Sequence, residues 1–161
     1  MSAAPSPTSP SFISPEALRE HWQGHRRLTR RVIEAFPDDQ LFTFSLGGMR
    51  TFGDMANELL SIGAPMARGM ATGDWGEYAP GAAQSKAALL AEWDRSTQAI
   101  DEAWAQIDPA RFHETLTSFG QFTGPGHWQV LYAVDNEIHH RGQGYVYLRA
   151  LGIEPPLFYE R

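Results

Sequence analysis

Three polar side chains stand at positions where helical spacing can bring them to one place: Glu58, Asn136 and His140. Asn136 and His140 are four residues apart, so on a helix both side chains point to one side and can reach one ion or one small molecule. Glu58 follows Met55 by three residues and precedes Ile62 by four, on the shoulder of an apolar stripe where a carboxylate is unusual. If the two segments are adjacent, these donors suit zinc, manganese, iron or nickel.

A structural interpretation of the same residues is also open. His140 can be a core histidine bonded to a neighbouring side chain, and Glu58 can pair with an arginine, for which Arg141 is a candidate. Asn136 is a poor ligand for zinc or nickel, so its helix supplies one good donor only. Without a metal we expect Glu58 and His140 to bond to each other directly or through water, because a lone buried carboxylate is costly.

Four segments have the apolar periodicity and end signals of helices. The first begins at the N-cap Ser14, before Pro15, and ends at Pro37. The second begins at a capping box whose first residue is Thr51, contains a proline expected to kink it, and ends between Gly69 and Gly73. The third is predicted over 85–107 and the fourth over 126–151, whereas 111–125 is expected to be an extended loop.

These segments predict an all-α protein, a four-helix bundle with long connecting loops. We expect one domain over residues 14–161, preceded by a disordered tail over residues 1–13 that is rich in Ala, Pro and Ser. Arginines 26, 27, 30 and 31 are interpreted as a solvated face of the first helix. The aromatic-rich first and third helices offer surface that a homodimer would bury.

Composition narrows the classes of function. The 161 residues are 42% apolar and 20% charged, as in a soluble domain with a core. A net charge of −6 argues against nucleic acid as a partner, and the lack of cysteine excludes thiolate ligands. The sequence has neither a signal peptide pattern nor an apolar run long enough to span a membrane, so we expect a cytoplasmic protein that does not bind membranes.

Two stretches resemble one known family. The run from Glu137 to Gln143, EIHHRGQ, followed by LRALGIEPP over 148–156, is similar to the C-terminal signature of DinB-like (DinB/YfiT) proteins. The run from Gly48 to Asp54, GMRTFGD, resembles the start of that family's second helix. Both stretches have the right order and separation, and with the helix pattern the resemblance covers nearly the whole chain after the tail.

The resemblance implies an up-down-down-up bundle, commonly a homodimer, with a divalent metal held by three histidines. One of these histidines belongs to the second helix and two belong to the fourth. In this sequence the three positions fall on Glu58, Asn136 and His140, so one histidine of the three is retained. The family's known activities include metal-dependent transfer or isomerisation with low-molecular-weight thiols, and some members are linked to DNA damage or stress responses.

Two hypotheses for the function follow. In the first, the protein is a metal-dependent thiol transferase-like enzyme that acts on a small thiol or electrophile, with Glu58 and His140 as ligands and Asn136 as a ligand or orienting amide. In the second, it is a non-catalytic, stress-associated dimeric bundle or small-ligand binder that keeps a polar remnant of the site. Elemental analysis of the purified protein separates the two.

Overall fold

The computed structural model of the protein describes residues 12–161. Of the disordered tail predicted over residues 1–13, residues 1–11 therefore lie outside the described part of the chain. The described chain contains four long helices, one short 3₁₀ turn at Pro109–Phe112 and one two-stranded hairpin. The helices are α1 (Pro15–Ala35), α2 (Phe52–Thr72), α3 (Lys86–Trp104) and α4 (Gly126–Ala150), and the strands are β1 (Thr115–Ser118) and β2 (Phe122–Pro125).

The first two helices begin at the predicted caps. The hydroxyl of Ser14 accepts a hydrogen bond from the backbone N–H of Ala17 at 3.1 Å, which satisfies one of the free donors of the first turn. Thr51 likewise accepts from the backbone of Asp54 at 3.2 Å. At the other end of α2, Gly73 has φ +82°, a left-handed conformation that closes the helix at little steric cost to glycine.

The helices form the predicted four-helix bundle, in which α1 and α2 each pack against both α3 and α4. The core is divided between two ends of the bundle. One cluster is built around Trp22, Trp104 and Val134, and the other around Trp93 and Tyr147. The stripes that helical spacing predicts along the first two helices are buried throughout: Leu18, Trp22, His25, Thr29, Val32 and Phe36 in the first, and Phe52, Met55, Leu59, Ile62 and Met66 in the second.

One close approach sets the distance between α2 and α4. A Cβ atom at Gly144 would lie 2.5 Å from the ring of Phe52, so only glycine lets the aromatic ring pack directly on the α4 backbone. This contact is one helical turn beyond His140 and about two turns before Glu58. It therefore helps to hold the two helices at a distance where their polar side chains can meet.

The extended loop predicted over 111–125 is wrong in part. From Thr115 to Pro125 it is an antiparallel hairpin in which Ser118 pairs with Phe122, and the reversal uses Phe119 (φ 50°) and Gly120 (φ 66°). The alternation of apolar residues in this stretch was too weak to indicate strands, because only Ser118 among the strand residues is buried. The hairpin packs against α4 and contributes a wall to the cavity described below.

Two expectations about surfaces are also corrected. The aromatic residues of α1 and α3 do not offer surface for a partner, because Trp22, Trp93 and Trp104 are buried in the protein's own core. In α4, by contrast, the helical spacing of Val130, Val134 and Ile138 predicts an apolar zone that faces the interior, but Ile138 is 39% exposed. Within residues 12–161, no helix combines the length and the apolar character needed to cross a membrane.

Candidate functional site

Glu58 of α2 and His140 of α4 meet where the two helices pack together. The imidazole Nε2 of His140 lies 3.1 Å from the carboxylate Oε1 of Glu58. His140 is buried, whereas the side chain of Glu58 keeps 21% of its surface exposed. The structure thus brings together two of the three residues that the sequence selected.

Arg50, rather than Arg141, is the arginine that pairs with Glu58. Its Nη1 forms an ion pair with Oε2, so each carboxylate oxygen has its own donor. Arg50 lies in the loop just before α2, and its carbonyl accepts a hydrogen bond from Tyr147 at 2.9 Å. The suggested pairing of Arg141 with Glu58 is wrong because Arg141 points to the other side of α4, toward α1.

The protonation states of the pair follow from these contacts. Burial would raise the pKa of Glu58, but the hydrogen bonds and charges of Arg50 and His140 leave that pKa below its ordinary value. Burial lowers the pKa of His140, and the Glu58 carboxylate opposes this without reversing it. At neutral pH the pair therefore consists of a carboxylate and a neutral imidazole.

The contact also fixes the tautomer of His140. A carboxylate only accepts hydrogen bonds, so Nε2 carries the proton and donates it, and Nδ1 has the free lone pair. Among the described residues, nothing bonds to this Nδ1 or to the amide Nδ2 of Asn136, although both atoms are buried. His140 Nδ1 is an unpaired acceptor and Asn136 Nδ2 an unpaired donor, one helical turn apart. A water molecule or a hydroxyl group could bond to both.

A cavity of about 300 Å³ adjoins this polar group. It lies between α2, the hairpin and the beginning of α4. Its neutral polar lining residues are Ser118, Gln121 and Gln129, of which Ser118 donates a hydrogen bond to Gln129 at 2.7 Å. Glu58 is the one charged residue in the lining. Its other walls are mainly apolar and aromatic, formed by Ile62, Met66, Tyr78, Phe119, Phe122, Trp128 and Tyr132.

One face of α4 connects the cavity with the polar group. Trp128 and Tyr132 line the cavity, and Asn136 and His140 follow at successive steps of four residues. On α2, Glu58 and Ile62 are also four residues apart, and both line the cavity. The cavity and the polar pair therefore share the Glu58 carboxylate, and we call the space between α2 and α4 that leads from the aromatic walls to this carboxylate the groove.

A second polar cluster, inside the bundle, was not found from the sequence. Glu137, 2% exposed, accepts a hydrogen bond from Thr29 at 2.6 Å and lies between the guanidinium groups of Arg26 (3.7 Å) and Arg141 (4.0 Å). Burial lowers the pKa of Arg26 to about 10, against the opposing effect of Glu137. Assigning Arg26 to a solvated face is wrong, because it is 1% exposed and stacks on Trp93 at 3.5 Å.

His25 belongs to the same cluster. Its Nδ1 accepts a hydrogen bond from Arg141 at 2.8 Å. Burial and the charges of Arg141, His21 and Arg161 lower its pKa to about 3, so this histidine is neutral at every ordinary pH. The cluster ties α1 to α4 on the side of α4 away from the cavity, and we assign it a structural role.

Comparison with known proteins agrees with the resemblance. The sequence model of the DinB family matches residues 10–161. The chain belongs to the DinB family. Among solved structures, this DinB chain is similar to a DinB-like protein from Bacillus subtilis (TM-score 0.70, 18% identity, 89% of this chain and 99% of that one). It is also similar to a DinB-like protein from Bacillus cereus ATCC 10987 (TM-score 0.74, 19% identity, 92% and 100%). None of the curated proteins matches it.

The donor set does not fit the tightly held metal that the DinB resemblance implies. Arg50 already balances the charge of Glu58 and would repel a cation placed there, while His140 supplies one imidazole and Asn136 an amide. In the part of the chain that the structure describes, no three or more His, Cys, Asp and Glu side chains form a group suited to a metal ion. Metal binding by Glu58, Asn136 and His140 stays a prediction.

Proposed function

We propose that this DinB-family protein binds a small, flat, largely apolar molecule in the groove between α2 and α4. The observation that supports this most directly is the aromatic cavity of about 300 Å³ that ends at the Glu58 carboxylate. Its volume is at the lower end of the range of small-molecule sites, which are typically apolar with a few placed polar groups. The proposal develops the second of the two hypotheses above, a small-ligand binder.

The polar end of the groove indicates what the ligand should carry. Glu58 is ionised and accepts hydrogen bonds from Arg50 and His140, but a carboxylate has lone pairs for further donors. Because Arg50 balances its charge, the site favours a neutral ligand with an N–H or O–H group over a cation. We infer an aromatic ring system bearing one hydrogen-bond donor.

Indole and 1-methylindole are suitable probes, because they differ in shape by one methyl group and in chemistry by the N–H donor. Isothermal titration should show that indole binds more tightly, by roughly fivefold for one hydrogen bond of about 1 kcal/mol. Glu58→Gln should reduce the difference, because a carboxylate accepts more strongly than an amide. Equal affinities for the two probes would contradict the role of Glu58.

The aromatic wall has its own test. Tyr132→Ala should weaken the binding of indole, because Tyr132 lines the cavity and, at 44% exposure, is not needed for the core. Tyr159→Ala is the matched control, since this tyrosine is exposed in the C-terminal segment and lies outside the cavity. If both variants bind indole as the unmodified protein does, the cavity is not the binding site.

A metal-dependent thiol transferase at the same residues is the rival proposal. The proximity of Glu58 and His140 favours it, and the charge of Arg50 opposes it. Elemental analysis of protein purified without added metal distinguishes the two. One tightly bound transition metal ion per chain would favour the rival over the binder.

A further inference from the structure

The last residues of the chain fold back over α4. Gly152, with φ +76°, turns the chain after the helix, and the backbone N–H of Ile153 donates to a carbonyl in the last turn of α4 at 2.9 Å. Further on, Nη1 of Arg31 in α1 donates to the carbonyl of Glu160 at 2.9 Å. The segment over 154–158 is therefore held at both ends, and its two prolines restrict the backbone between them.

A cleft of about 370 Å³ lies between this segment and α4. The volume falls in the range of small-molecule sites. Most of its walls are apolar, formed by Ile138 on the helix and by Pro155, Pro156, Leu157 and Phe158 on the segment. None of the residues that line the cleft also lines the aromatic cavity between α2 and α4, so the two are separate sites.

Gly142 gives the cleft part of its space. It belongs to the lining, and a Cβ atom at this position would have no neighbour within 4 Å beyond its own stretch of helix. The packing of residues 12–161 therefore does not require a glycine here. Glycine weakens a helix interior relative to alanine. This glycine has a use if a ligand occupies the space above it.

Two opposite charges line the cleft without pairing. Arg149 and Glu154 both belong to the lining, yet within residues 12–161 neither side chain forms an ion pair. The guanidinium of Arg149 only lies over the ring of Tyr145, at 5.9 Å from its centre. The other arginine of the lining, Arg141, has a counter-charge in Glu137 at 4.0 Å. Arg149 and Glu154 are thus both available to a ligand.

A hydroxyl group of the lining also lacks a partner. The oxygen of Tyr145 is buried and has no hydrogen-bond partner among the described residues. Burial raises the pKa of this hydroxyl above its ordinary value, against the nearby charges of Arg141, Arg31 and Arg149, so it keeps its proton. A protonated hydroxyl among positive charges suits an anionic group, to which it donates directly or through water.

We propose that the cleft between α4 and residues 154–158 binds a small zwitterion with an apolar side group, such as a free apolar amino acid. The carboxylate of the ligand pairs with Arg149 and accepts from Tyr145 directly or through water, while its ammonium group pairs with Glu154. The apolar group packs on Ile138 and the two prolines. A ligand with one charge leaves the opposite charge of the cleft unmatched, whereas a zwitterion matches both.

Three related probes test the charges of the ligand. Phenylacetate lacks the ammonium group of phenylalanine, and 2-phenylethylamine lacks its carboxylate. In NMR titrations of the isotope-labelled full chain, phenylalanine should shift the amide resonances of Gly142 and Phe158 saturably. Each singly charged probe should bind at least about fivefold more weakly, the loss of roughly one charged contact. No saturable binding of phenylalanine, or equal binding of either singly charged probe, overturns the proposal.

Two variants assign each charge to its side chain. Arg149→Met should no longer distinguish phenylalanine from 2-phenylethylamine, and Glu154→Gln should no longer distinguish it from phenylacetate. Each should also weaken phenylalanine binding at least about fivefold. Arg68→Met, an exposed change outside the cleft, is the control and should leave the affinities unchanged. Variants of Arg149 and Glu154 that keep the preferences of the unmodified protein overturn the proposal.

Filling the cleft gives an independent test. Gly142→Leu should abolish phenylalanine binding, because its side chain takes the space of the ligand. Its melting temperature should not fall, since leucine is a better helix former than glycine. Val146→Leu, an exposed change on α4 outside the cleft, is the control and should bind phenylalanine normally. A folded Gly142→Leu variant that binds phenylalanine as the unmodified protein does contradicts this site.

Discussion

Glu58 Oε1 and His140 Nε2 lie 3.1 Å apart, although the two residues are 82 positions apart in sequence. The contact has a definite direction, since a carboxylate accepts and the imidazole must donate. Arg50 on the second carboxylate oxygen keeps Glu58 charged, and burial keeps His140 neutral. A charged acceptor and an oriented neutral imidazole thus adjoin an aromatic cavity.

The coupling of the two groups can be measured by titration. The Glu58 carboxylate raises the pKa of His140 against the effect of burial. Glu58→Gln should therefore lower the pKa of His140 further, as followed by the histidine resonances in NMR. Glu77→Gln, an exposed change in the loop after α2, is the control. A rise in the pKa of His140 in Glu58→Gln would show that the two side chains do not interact as described.

Acid should destabilise the protein through His25. Its pKa of about 3 in the folded state lies below the value of about 6.5 expected in the unfolded chain, so the unfolded state binds the proton first. The stability contribution is fully present above pH 6.5 and is lost as pH falls toward 3, at up to about 1.4 kcal/mol per pH unit.

His25→Asn keeps an acceptor near the position of Nδ1, which bonds Arg141, but cannot titrate. Its free energy of unfolding should fall less between pH 7 and pH 5, by about 2 kcal/mol, than that of the unmodified protein. Urea unfolding at the two pH values measures this. Parallel losses in both proteins would mean that His25 is not held neutral by the fold.

The buried charge cluster should be more sensitive to mutation than the surface ion pairs. Glu137→Gln leaves Arg26 and Arg141 buried without a counter-charge and should lower the free energy of unfolding by roughly 3–5 kcal/mol. Glu20→Gln breaks the exposed pair with Arg27 and should cost less than about 0.5 kcal/mol. Urea denaturation compares them, and similar small losses would refute the buried network.

Arg50 should control the affinity of the site for cations. Because its charge competes with a metal ion at Glu58, Arg50→Met should strengthen Zn²⁺ binding at least about tenfold in a calorimetric titration. Arg68→Met, which changes an exposed arginine within α2, is the control. The melting temperature of the unmodified protein should be the same in EDTA and in Zn²⁺. A large stabilisation by Zn²⁺ would restore the metal site predicted from the sequence.

Signals from neighbouring residues were sufficient to predict the four helices and part of the candidate site. The caps at Ser14 and Thr51 and the apolar stripes depend on neighbouring residues, so the sequence contains them directly. The hairpin depends on packing against α4, which the sequence does not show. Its apolar and polar residues alternate too weakly to predict strands. Glu58 was found because a carboxylate beside a core stripe is unusual.

The roles of two arginines, Arg50 and Arg26, were not predicted, and only one of the two had a signal in the sequence. Arg50 lies in a loop, and only the folded chain shows that it reaches Glu58. Arg26 did carry a signal, since it follows Trp22 by four residues and precedes Thr29 by three, on the buried stripe of α1. Because Arg26 stands in a run of arginines, it was nevertheless assigned to a solvated face. Its partner Glu137 is 111 residues away, so no local pattern indicates their ion pair.

A crystal structure of the protein soaked with indole would show whether the groove between α2 and α4 is a small-molecule site. We predict that the ring lies between Met66 and Tyr132, inside the aromatic cavity, with its N–H within hydrogen-bond distance of a Glu58 oxygen. His140 and Arg50 should keep their contacts with the carboxylate. Indole bound elsewhere on the protein, or an empty cavity at saturating indole, would contradict the proposal that this groove is a small-molecule site.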